Sequence, residues 1–393
     1  MNIKYMEVVT SEEINKTLDL CEKVFGGEER KMFEDLFFKS LNKENNLILA
    51  AKDGEDIIST ITLIDFPINY FGIDIKAAEL GIVATDENYR GKGINNKVTE
   101  LYHKKLEEGN YLVSVIEGIP YFYRKYGYNY SVKMGGELLN LNEVETVDNE
   151  KIKIVLAEKN DLDFIFDCFK RDCTGVCSHK KKEIFETQSF VYNNADLKRI
   201  PYIVYENDEK TGYFLVSTNG DIQDISNMSF NVYEKILHFI KTEYKKEKFH
   251  ADIPYSNKFI CFLKSKNSKN VQGYGWQIRI LDDLKFLEII KPVLEKRIAE
   301  SVYKNEVFDF YYNNFKYLIK VKIEKSKIDF VKEKFSPTWD FNLTPQGAAK
   351  LFFGTHNMAE INSFLPDCMA TKKISGLIDV LFPKIDSFFY QNY

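Results

Sequence analysis

The spacing of hydrophobic and polar residues divides the first third of the chain into short strands and amphipathic helices. Apolar residues recur at helical intervals between Ser11, a candidate N-cap, and Gly26, a candidate helix end. Residues 45–64 contain two strand-like runs joined at Asp53-Gly54, which predicts a β-hairpin.

The remaining elements of this region indicate an α/β unit. A second amphipathic helix is predicted over residues 28–41, before the hairpin, and a third strand over residues 73–85, after it. A long helix over residues 93–109 then leads into the apolar strand 111–116. Because a helix joins these last two strands, we expect them to lie parallel.

The rest of the chain is predicted to repeat this order and then to change character. The polar stretch 141–152 is a candidate boundary. Residues 151–172, 199–217 and 231–249 resemble the opening strand and helix, the hairpin and the long helix, in that order. Strand-like and then helical runs follow, which indicates an α+β region. We therefore predict two α/β domains and one α+β domain, over residues 1–145, 146–280 and 281–393.

Composition and charge exclude several classes of protein. The chain has 393 residues and a net charge of −5, unlike the basic surface of nucleic-acid-binding proteins. No apolar run approaches the roughly 18–20 residues of a membrane span, and the charged start does not resemble a signal peptide. Six scattered cysteines indicate reduced thiols. We therefore predict a cytoplasmic protein without nucleic-acid or membrane partners.

A glycine-rich loop between a strand and a helix is the strongest indication of chemistry. Residues 83–98 read VATDENYRGKGINNKV, so Arg90-Gly91-Lys92-Gly93 directly precede the predicted helix. Glycines let the backbone N–H groups converge, and the helix start adds unpaired donors and a positive dipole end. Such a loop can bind a pyrophosphate; from these residues alone, a loop that merely starts a helix is an equal alternative.

The same loop resembles the cofactor-binding motif of the GNAT superfamily of N-acetyltransferases. That motif has the form R-x-x-G-x-[G/A] after a strand ending V-x-T, and this chain departs from it at Asn95. Downstream, the strand YLVSVI and the segment IPYFYRKYGY resemble the Eis-like branch of the superfamily, in which a bulky residue often replaces the last small residue of the loop.

This resemblance implies a fold and a co-substrate. It implies tandem GNAT-like domains followed by a sterol-carrier-protein-like C-terminal domain, with acetyl-CoA bound by the first domain and no metal. Val83 and Thr85 would hydrogen-bond the pantetheine arm. The pyrophosphate would lie on the loop formed by Arg90, Gly91, Lys92, Gly93, Ile94 and Asn95.

Tyr123 matches the first tyrosine of the Eis-like segment, and the resemblance implies that it is the general acid. After an amine attacks a thioester, the leaving sulfur needs a nearby proton donor. A phenol with a pKa of about 10 remains protonated at neutral pH and can serve. We assign the neighbouring Tyr126 and Tyr128 to packing.

The base that deprotonates the amine has two candidates. In Eis-like proteins it is the C-terminal carboxylate, which implies Tyr393 in this chain. Apolar side chains are costly to expose to water, so the aromatic residues of the tail favour its docking; they are Phe388, Phe389, Tyr390 and Tyr393. The alternative base is Glu79, on the strand that leads to Val83.

A cysteine cluster is the remaining candidate for a site. Cys168, Cys173, Cys177 and His179 lie close together in sequence, but they lack the C-x₂-C pair typical of zinc sites. We therefore favour plain thiols over a metal site.

These observations predict an acetyl-CoA-dependent N-acetyltransferase that transfers an acetyl group to a primary amine by direct attack, without an acyl-enzyme. The resemblance also implies a homo-oligomer, with a hexamer as the first expectation. The alternative is a non-catalytic protein that binds CoA or carries a lipid. The amine stays open: aminoglycosides, polyamines, lysine side chains and peptides all fit the sequence.

Overall fold

The computed structural model describes residues 2–27, 30–37, 46–178 and 181–391. The first region has the predicted alternation of strands and helices. Its elements are β1 (Ile3–Glu7), α1 (Ser11–Phe25), α2 (Arg30–Asp35), β2 (Leu47–Asp53), β3 (Asp56–Asp65), β4 (Ile68–Tyr70), β5 (Ile73–Ile75), β6 (Ala77–Thr85), α3 (Ile94–Glu108), β7 (Val113–Ile116) and β8 (Asn129–Asn140).

Helix α1 begins one residue earlier than the sequence suggests. Thr10 is the N-cap, since its hydroxyl accepts a hydrogen bond from the Glu13 N–H at 3.2 Å. The Glu13 carboxylate accepts one in return from the Thr10 N–H at 3.3 Å. This reciprocal pair makes Ser11 the first helical residue, so the prediction of a Ser11 cap is wrong.

Two other elements of this region differ from the prediction. The predicted helix over residues 28–41 appears as α2, and residues 28–29 and 38–41 lie outside the described residues. Strand β8 is missing from the prediction because Gly135-Gly136 and several polar residues interrupt its alternation.

The second region follows the same order with three differences in the described residues. It has no counterpart of β4 and β5, a short strand between its first two helices, and one more helix before its last strand. Its elements are β9 (Ile152–Leu156), α4 (Leu162–Asp172), β10 (Val176–Ser178), α5 (Lys182–Glu186), β11 (Arg199–Glu206), β12 (Glu209–Ser217), β13 (Ile222–Ile225), α6 (Phe230–Glu243), β14 (Lys248–Ala251), α7 (Lys258–Ser265) and β15 (Lys269–Ile280).

A twelve-stranded sheet joins the two regions, in the order β1-β2-β3-β6-β7-β15-β8-β14-β13-β12-β11-β9. The order is symmetrical about its centre, where each region inserts its last strand next to the other region. Thus β15 pairs with β7, β8 pairs with β14, and β15 and β8 pair with each other. The predicted parallel pair β6 and β7 is confirmed, and β13 and β14 form its parallel counterpart.

The third region is α+β and packs a five-stranded sheet, in the order β18-β17-β16-β19-β20, against helices. No helix in the described parts of the chain combines the length and apolar character that a membrane span needs. The region's elements are α8 (Asp283–Ala299), β16 (Phe308–Asn313), β17 (Leu318–Glu324), β18 (Lys327–Glu333), β19 (Phe341–Asn342), α9 (Pro345–Phe352), α10 (Met358–Phe364), β20 (Met369–Ala370) and α11 (Ser375–Leu381).

The tail after α11 returns to the second region and docks there. The Phe388 N–H donates to the Val176 carbonyl at 3.0 Å, and the Ser178 N–H donates to the Phe388 carbonyl at 3.2 Å. Phe388, Phe389 and Tyr390 are all buried. The prediction that an aromatic tail would dock is therefore confirmed for these residues.

The cysteine cluster differs from the prediction. Cys173 and Cys177 are joined by a disulfide, so the expectation of six reduced thiols is wrong at this pair. The short turn between them brings the two side chains together, and neither thiol is then available as a metal ligand. Cys168 is buried, while His179 lies outside the described residues.

Candidate active site

Strands β6 and β7 pair for only three residues and then separate. Their pairing begins at Ala77–Val113 and ends at Glu79–Val115, while β3 covers the other edge of β6 up to Thr85. Beyond Glu79, in the part of the chain that the structure describes, β6 has no strand partner on the side of the gap. The backbone N–H and C=O groups at such an edge have no strand partner. This edge includes Val83 and Thr85 and can therefore bind a ligand.

A cavity of about 570 Å³ opens where the two strands separate. Its walls come from the end of α1, from α2, from β6, from the segment after β7, and from residues 196–197 of the second region. Three residues predicted from the sequence, Glu79, Val83 and Tyr123, line this one cavity. The structure therefore brings together the candidate acid, one candidate base and part of the strand edge.

Tyr123 lies in a short 3₁₀ turn (Phe122–Tyr126) and is positioned by Gly118. A Cβ atom at Gly118 would lie 2.3 Å from two ring carbons of Tyr123, so only glycine allows this ring position. Gly118 is itself held in place, because its carbonyl accepts a hydrogen bond from Gln277 Nε2 at 2.8 Å. Burial raises the pKa of the Tyr123 phenol, which therefore keeps its proton at neutral pH.

Two carboxyl groups, Glu79 and Glu117, share the cavity with Tyr123. Burial, together with the nearby Glu117, raises the pKa of Glu79 well above its usual value. Burial also raises the pKa of Glu117 to about 7, a hydrogen bond with Gln391 lowers it, and the charge of Asp252 raises it. Glu79 Oε2 and Glu117 Oε1 have no hydrogen-bond partner among the described residues. Of these two carboxyl groups, Glu117 is thus the one with a pKa near neutral.

Glu117 also lines a second cavity of about 90 Å³, and Gln391 lines both cavities. Asp252, Lys133 and Arg199 contribute to the lining of this smaller cavity. Burial raises the pKa of Asp252 to about 6. The space is large enough for a few water molecules. Glu117 therefore borders both the larger cavity and this smaller cavity, which is lined by charged side chains.

The docked tail ends its described course at this site. Gln391 lines both cavities, and its carbonyl accepts a hydrogen bond from Gln188 Nε2 at 3.2 Å. Tyr393, the base implied by the resemblance, lies outside the described residues. The structure therefore brings the residue two positions before Tyr393 to the site.

The glycine loop has the backbone that an anion site requires. Gly91 and Gly93 both have φ of 75°, and Gly93 precedes α3 without any side-chain cap. Arg90 Nε donates to the Thr85 carbonyl at 3.1 Å, which ties the loop to the end of β6. Both polar side-chain atoms of Asn95 are buried without a partner among the described residues. The loop thus continues the open edge of β6 beyond the cavity.

The assignment of Tyr128 to packing is confirmed. Its ring is fully buried, and its hydroxyl lies 2.7 Å from Ser114 Oγ, which in turn lies 2.8 Å from the Tyr102 hydroxyl. Tyr126 is partly exposed and hydrogen-bonds Asn96 at the start of α3.

Comparison with known families identifies the first region. Residues 6–131 match the family model described as the acetyltransferase (GNAT) domain. This stretch contains the glycine loop, the gap between β6 and β7, and Tyr123. The chain therefore carries a GNAT acetyltransferase domain over these residues, and this domain makes the protein an enzyme.

Solved structures share the fold along the whole chain. A probable N-acyltransferase from Enterococcus faecalis has a TM-score of 0.77 at 15% identity, a GCN5-related N-acetyltransferase from Anabaena variabilis 0.75 at 13%, and Eis1 from Mycobacterium abscessus 0.66 at 11%. In each case 100% of both chains is covered. At these identities the likeness is one of fold, and at that level the predicted Eis-like resemblance is confirmed. No curated protein matches the chain by sequence.

Glu117 is the site residue that the sequence analysis misses. It directly follows the apolar strand β7 in the segment IEGIP, and no motif marks it. Its position could have indicated it, because Glu117 lies at the carboxyl end of a parallel strand, where functional groups are often found.

Proposed function

We propose that the protein is an acetyl-CoA-dependent N-acetyltransferase that transfers an acetyl group directly to a primary amine. The observation that carries this proposal is the convergence of Tyr123, Glu117 and the open edge of β6 on one cavity. GNAT enzymes use acyl-CoA co-substrates, and the glycine loop at the end of β6 has the unpaired donors that a pyrophosphate needs.

The proposed reaction needs one base and one acid. The amine nitrogen forms a bond to the thioester carbonyl carbon, and the carbon–sulfur bond breaks. A cationic amine loses one proton before it attacks and a second one afterwards. The sulfur takes up one proton, so the products are an amide, a free thiol and one proton released to water. Glu117 would accept the first proton, because it ionises near pH 7. Tyr123 would donate the second, since burial keeps its hydroxyl protonated.

Glu117 is a third candidate for the base, beside Glu79 and the Tyr393 carboxylate suggested by the sequence. Glu79 is disfavoured because burial stabilises its neutral form, which cannot accept a proton. The carboxylate of Tyr393 stays a prediction. It is compatible with the course of the tail, because Gln391 lines the cavity.

We also propose roles for the other regions. The mirrored strand order and the parallel pairs β6–β7 and β13–β14 support two GNAT-like halves, over residues 1–145 and 146–280. The segment before α6 has no counterpart of the glycine loop, so acyl-CoA is assigned to the first half. A homo-oligomer, with a hexamer as first guess, stays a prediction.

Residues 281–393 are proposed as a sterol-carrier-like domain with a structural role. The apolar cavity inside this region, between α8, α11 and the sheet, has a volume of about 20 Å³. That is space for roughly one water molecule and not for a fatty chain. This packing supports the enzyme over the alternative of a lipid carrier.

The glycine loop gives a direct prediction for CoA. Arg90→Ala and Lys92→Ala are each expected to weaken CoA binding by about 10-fold, because each removes one cation beside the anion site. Isothermal titration calorimetry with CoA measures the effect. Lys334→Ala, an exposed lysine of the third region, is the matched control and should bind normally. Unchanged affinity in both loop variants would show that the pyrophosphate lies elsewhere.

The function itself is tested by incubating the purified protein with acetyl-CoA and a broad panel of primary amines. The expected result is release of free thiol in equal amount to N-acetylated amine, detected by mass spectrometry. If the protein binds CoA but acetylates no amine, the non-catalytic alternative is favoured.

A further inference from the structure

We propose that the acetyl acceptor is a primary amine carried on an apolar body, such as an alkylamine or arylalkylamine, and not a polyhydroxylated amine or a polyamine. This inference rests on the proposed function and names the class of substrate that the 570 Å³ cavity selects. It follows from the apolar walls of that cavity, from its uncovered hydrophobic surface and from its charges.

The wall opposite the strand gap is apolar. Helix α2 contributes Met32 and Phe33, Leu36 follows it, and the second region contributes Leu197. Phe33, Leu36 and Leu197 are otherwise buried in the core that supports α1, so this wall is firmly held. A ligand in the cavity therefore contacts a preformed hydrophobic surface.

Two large apolar side chains of the cavity are left uncovered. Phe25 is 46% exposed and Ile119 is 64% exposed, and both line the cavity. The Phe25 ring is held in place by Phe33, with their ring centroids 5.3 Å apart. Covering such surface removes it from water, which favours an apolar ligand.

The charges of the lining favour an amine. Glu117, Asp196 and the neutral Glu79 line the cavity, and the described lining contains no lysine, arginine or histidine. Asp196 is exposed, whereas Glu79 and Glu117 lie deeper. A cationic amine is therefore drawn in and meets the titratable Glu117 beside Tyr123.

The apolar wall of this cavity offers no side-chain hydrogen-bond partner to hydroxyl groups on the acceptor. Apart from the three carboxyl groups, the polar side chains of the described lining are Tyr123 and Gln391. A hydroxyl that lies against the wall of Met32, Phe33 and Leu36 loses its bonds to water without replacing them, and this costs binding free energy. The same argument applies to a second ammonium group placed against the apolar wall.

Three amines with the same six-carbon chain and different ends test this inference. They are hexylamine, 6-aminohexan-1-ol and 1,6-diaminohexane, compared by kcat/KM at saturating acetyl-CoA. We expect hexylamine to exceed each of the others by about 10-fold or more, the effect of one methylene-sized change in an apolar pocket. Equal values, or a preference for the alcohol or the diamine, would overturn the inference while leaving the proposed function intact. If none of the three, nor any other amine, is acetylated, the proposed function itself fails.

A pair of matched variants locates the selectivity. Phe25→Ser is expected to lower kcat/KM for hexylamine about 10-fold and to change the value for 6-aminohexan-1-ol much less. Phe335→Ser, at an exposed phenylalanine of the third region, is the control and should change neither. Ile119→Ser is a second variant in case Phe25→Ser does not fold. Equal losses for both amines in the cavity variants would contradict the role of this wall.

Discussion

Replacing Glu117 by glutamine is expected to lower kcat by about 10²- to 10⁴-fold, the usual contribution of a general base. Glutamine keeps the size of the side chain and its hydrogen bond with Gln391, but it cannot accept the amine's proton. The KM for acetyl-CoA should change little, because Glu117 lies in the cavity and not on the glycine loop. Initial rates of thiol release over a range of acetyl-CoA concentrations separate the two constants.

The pH dependence makes this prediction specific. The base is active as the carboxylate, so kcat of the wild type should rise with pH, pass its midpoint at about 7 and then level off. The residual activity of Glu117→Gln should lack this rise. Asp252→Asn should move the rise to lower pH, because the charge of Asp252 raises the pKa of Glu117. The other titratable groups that share its two cavities are Glu79, Tyr123, Asp196, Lys133, Arg199 and Tyr390.

The thermal stability of the wild type should fall over the range of pH in which its activity rises. The pKa of Glu117 is about 7 in the folded chain and 4.5 in its usual state, so the folded state binds more protons between these values. Its contribution to stability is full below pH 4.5 and is lost as pH rises through 7. Glutamine has no such loss. The Tm of Glu117→Gln relative to wild type should therefore increase between pH 5 and pH 8.

Competing bases are distinguished by parallel variants. If Glu79 is the base, Glu79→Gln will remove the rise with pH and Glu117→Gln will not. If the carboxylate of Tyr393 is the base, residues added after Tyr393 will abolish transfer and leave CoA binding intact. Normal kcat in Glu117→Gln with an unchanged pH profile would rule out the assignment of Glu117.

The sequence could predict the elements of the first region because local patterns determine them. The glycine loop, the long helix and the apolar strand 111–116 each have a spacing that one conformation satisfies. In the structure they are the loop between β6 and α3, helix α3 and strand β7. Tyr123 and Val83 could be assigned because the Eis-like segment and the strand-loop motif are read directly from consecutive residues.

The exchange of strands at the centre of the sheet could not be predicted, because it depends on pairing between distant segments. β15 and β8 are separated by more than a hundred residues in sequence, yet they lie side by side. Glu117 was missed for a similar reason. A single glutamate after a strand is chemically ordinary, and its raised pKa comes from burial in the folded chain and from the charge of Asp252, which is far away in sequence.

Replacing Tyr123 by phenylalanine is expected to lower kcat by about 10²-fold or more, while CoA binding stays within about 2-fold of wild type. The ring and its packing remain, and only the hydroxyl that would protonate the leaving sulfur is lost. The loss should shrink for acyl donors whose leaving thiol has a low pKa, because such a thiolate departs without a proton. A purely structural role for Tyr123 would reduce transfer from all donors equally.

Gly118→Ala tests the position of Tyr123 without removing its hydroxyl. The added Cβ would lie 2.3 Å from two ring carbons, so the ring must move and kcat should fall about as far as in Tyr123→Phe. Gly175→Ala is the matched control, because its Cβ would meet a single atom at 3.9 Å. If Gly118→Ala is fully active, the hydroxyl of Tyr123 does not need its present position and cannot be the acid. If the double variant that combines Gly118→Ala with Tyr123→Phe is no slower than either single variant, the two substitutions disable the same proton transfer.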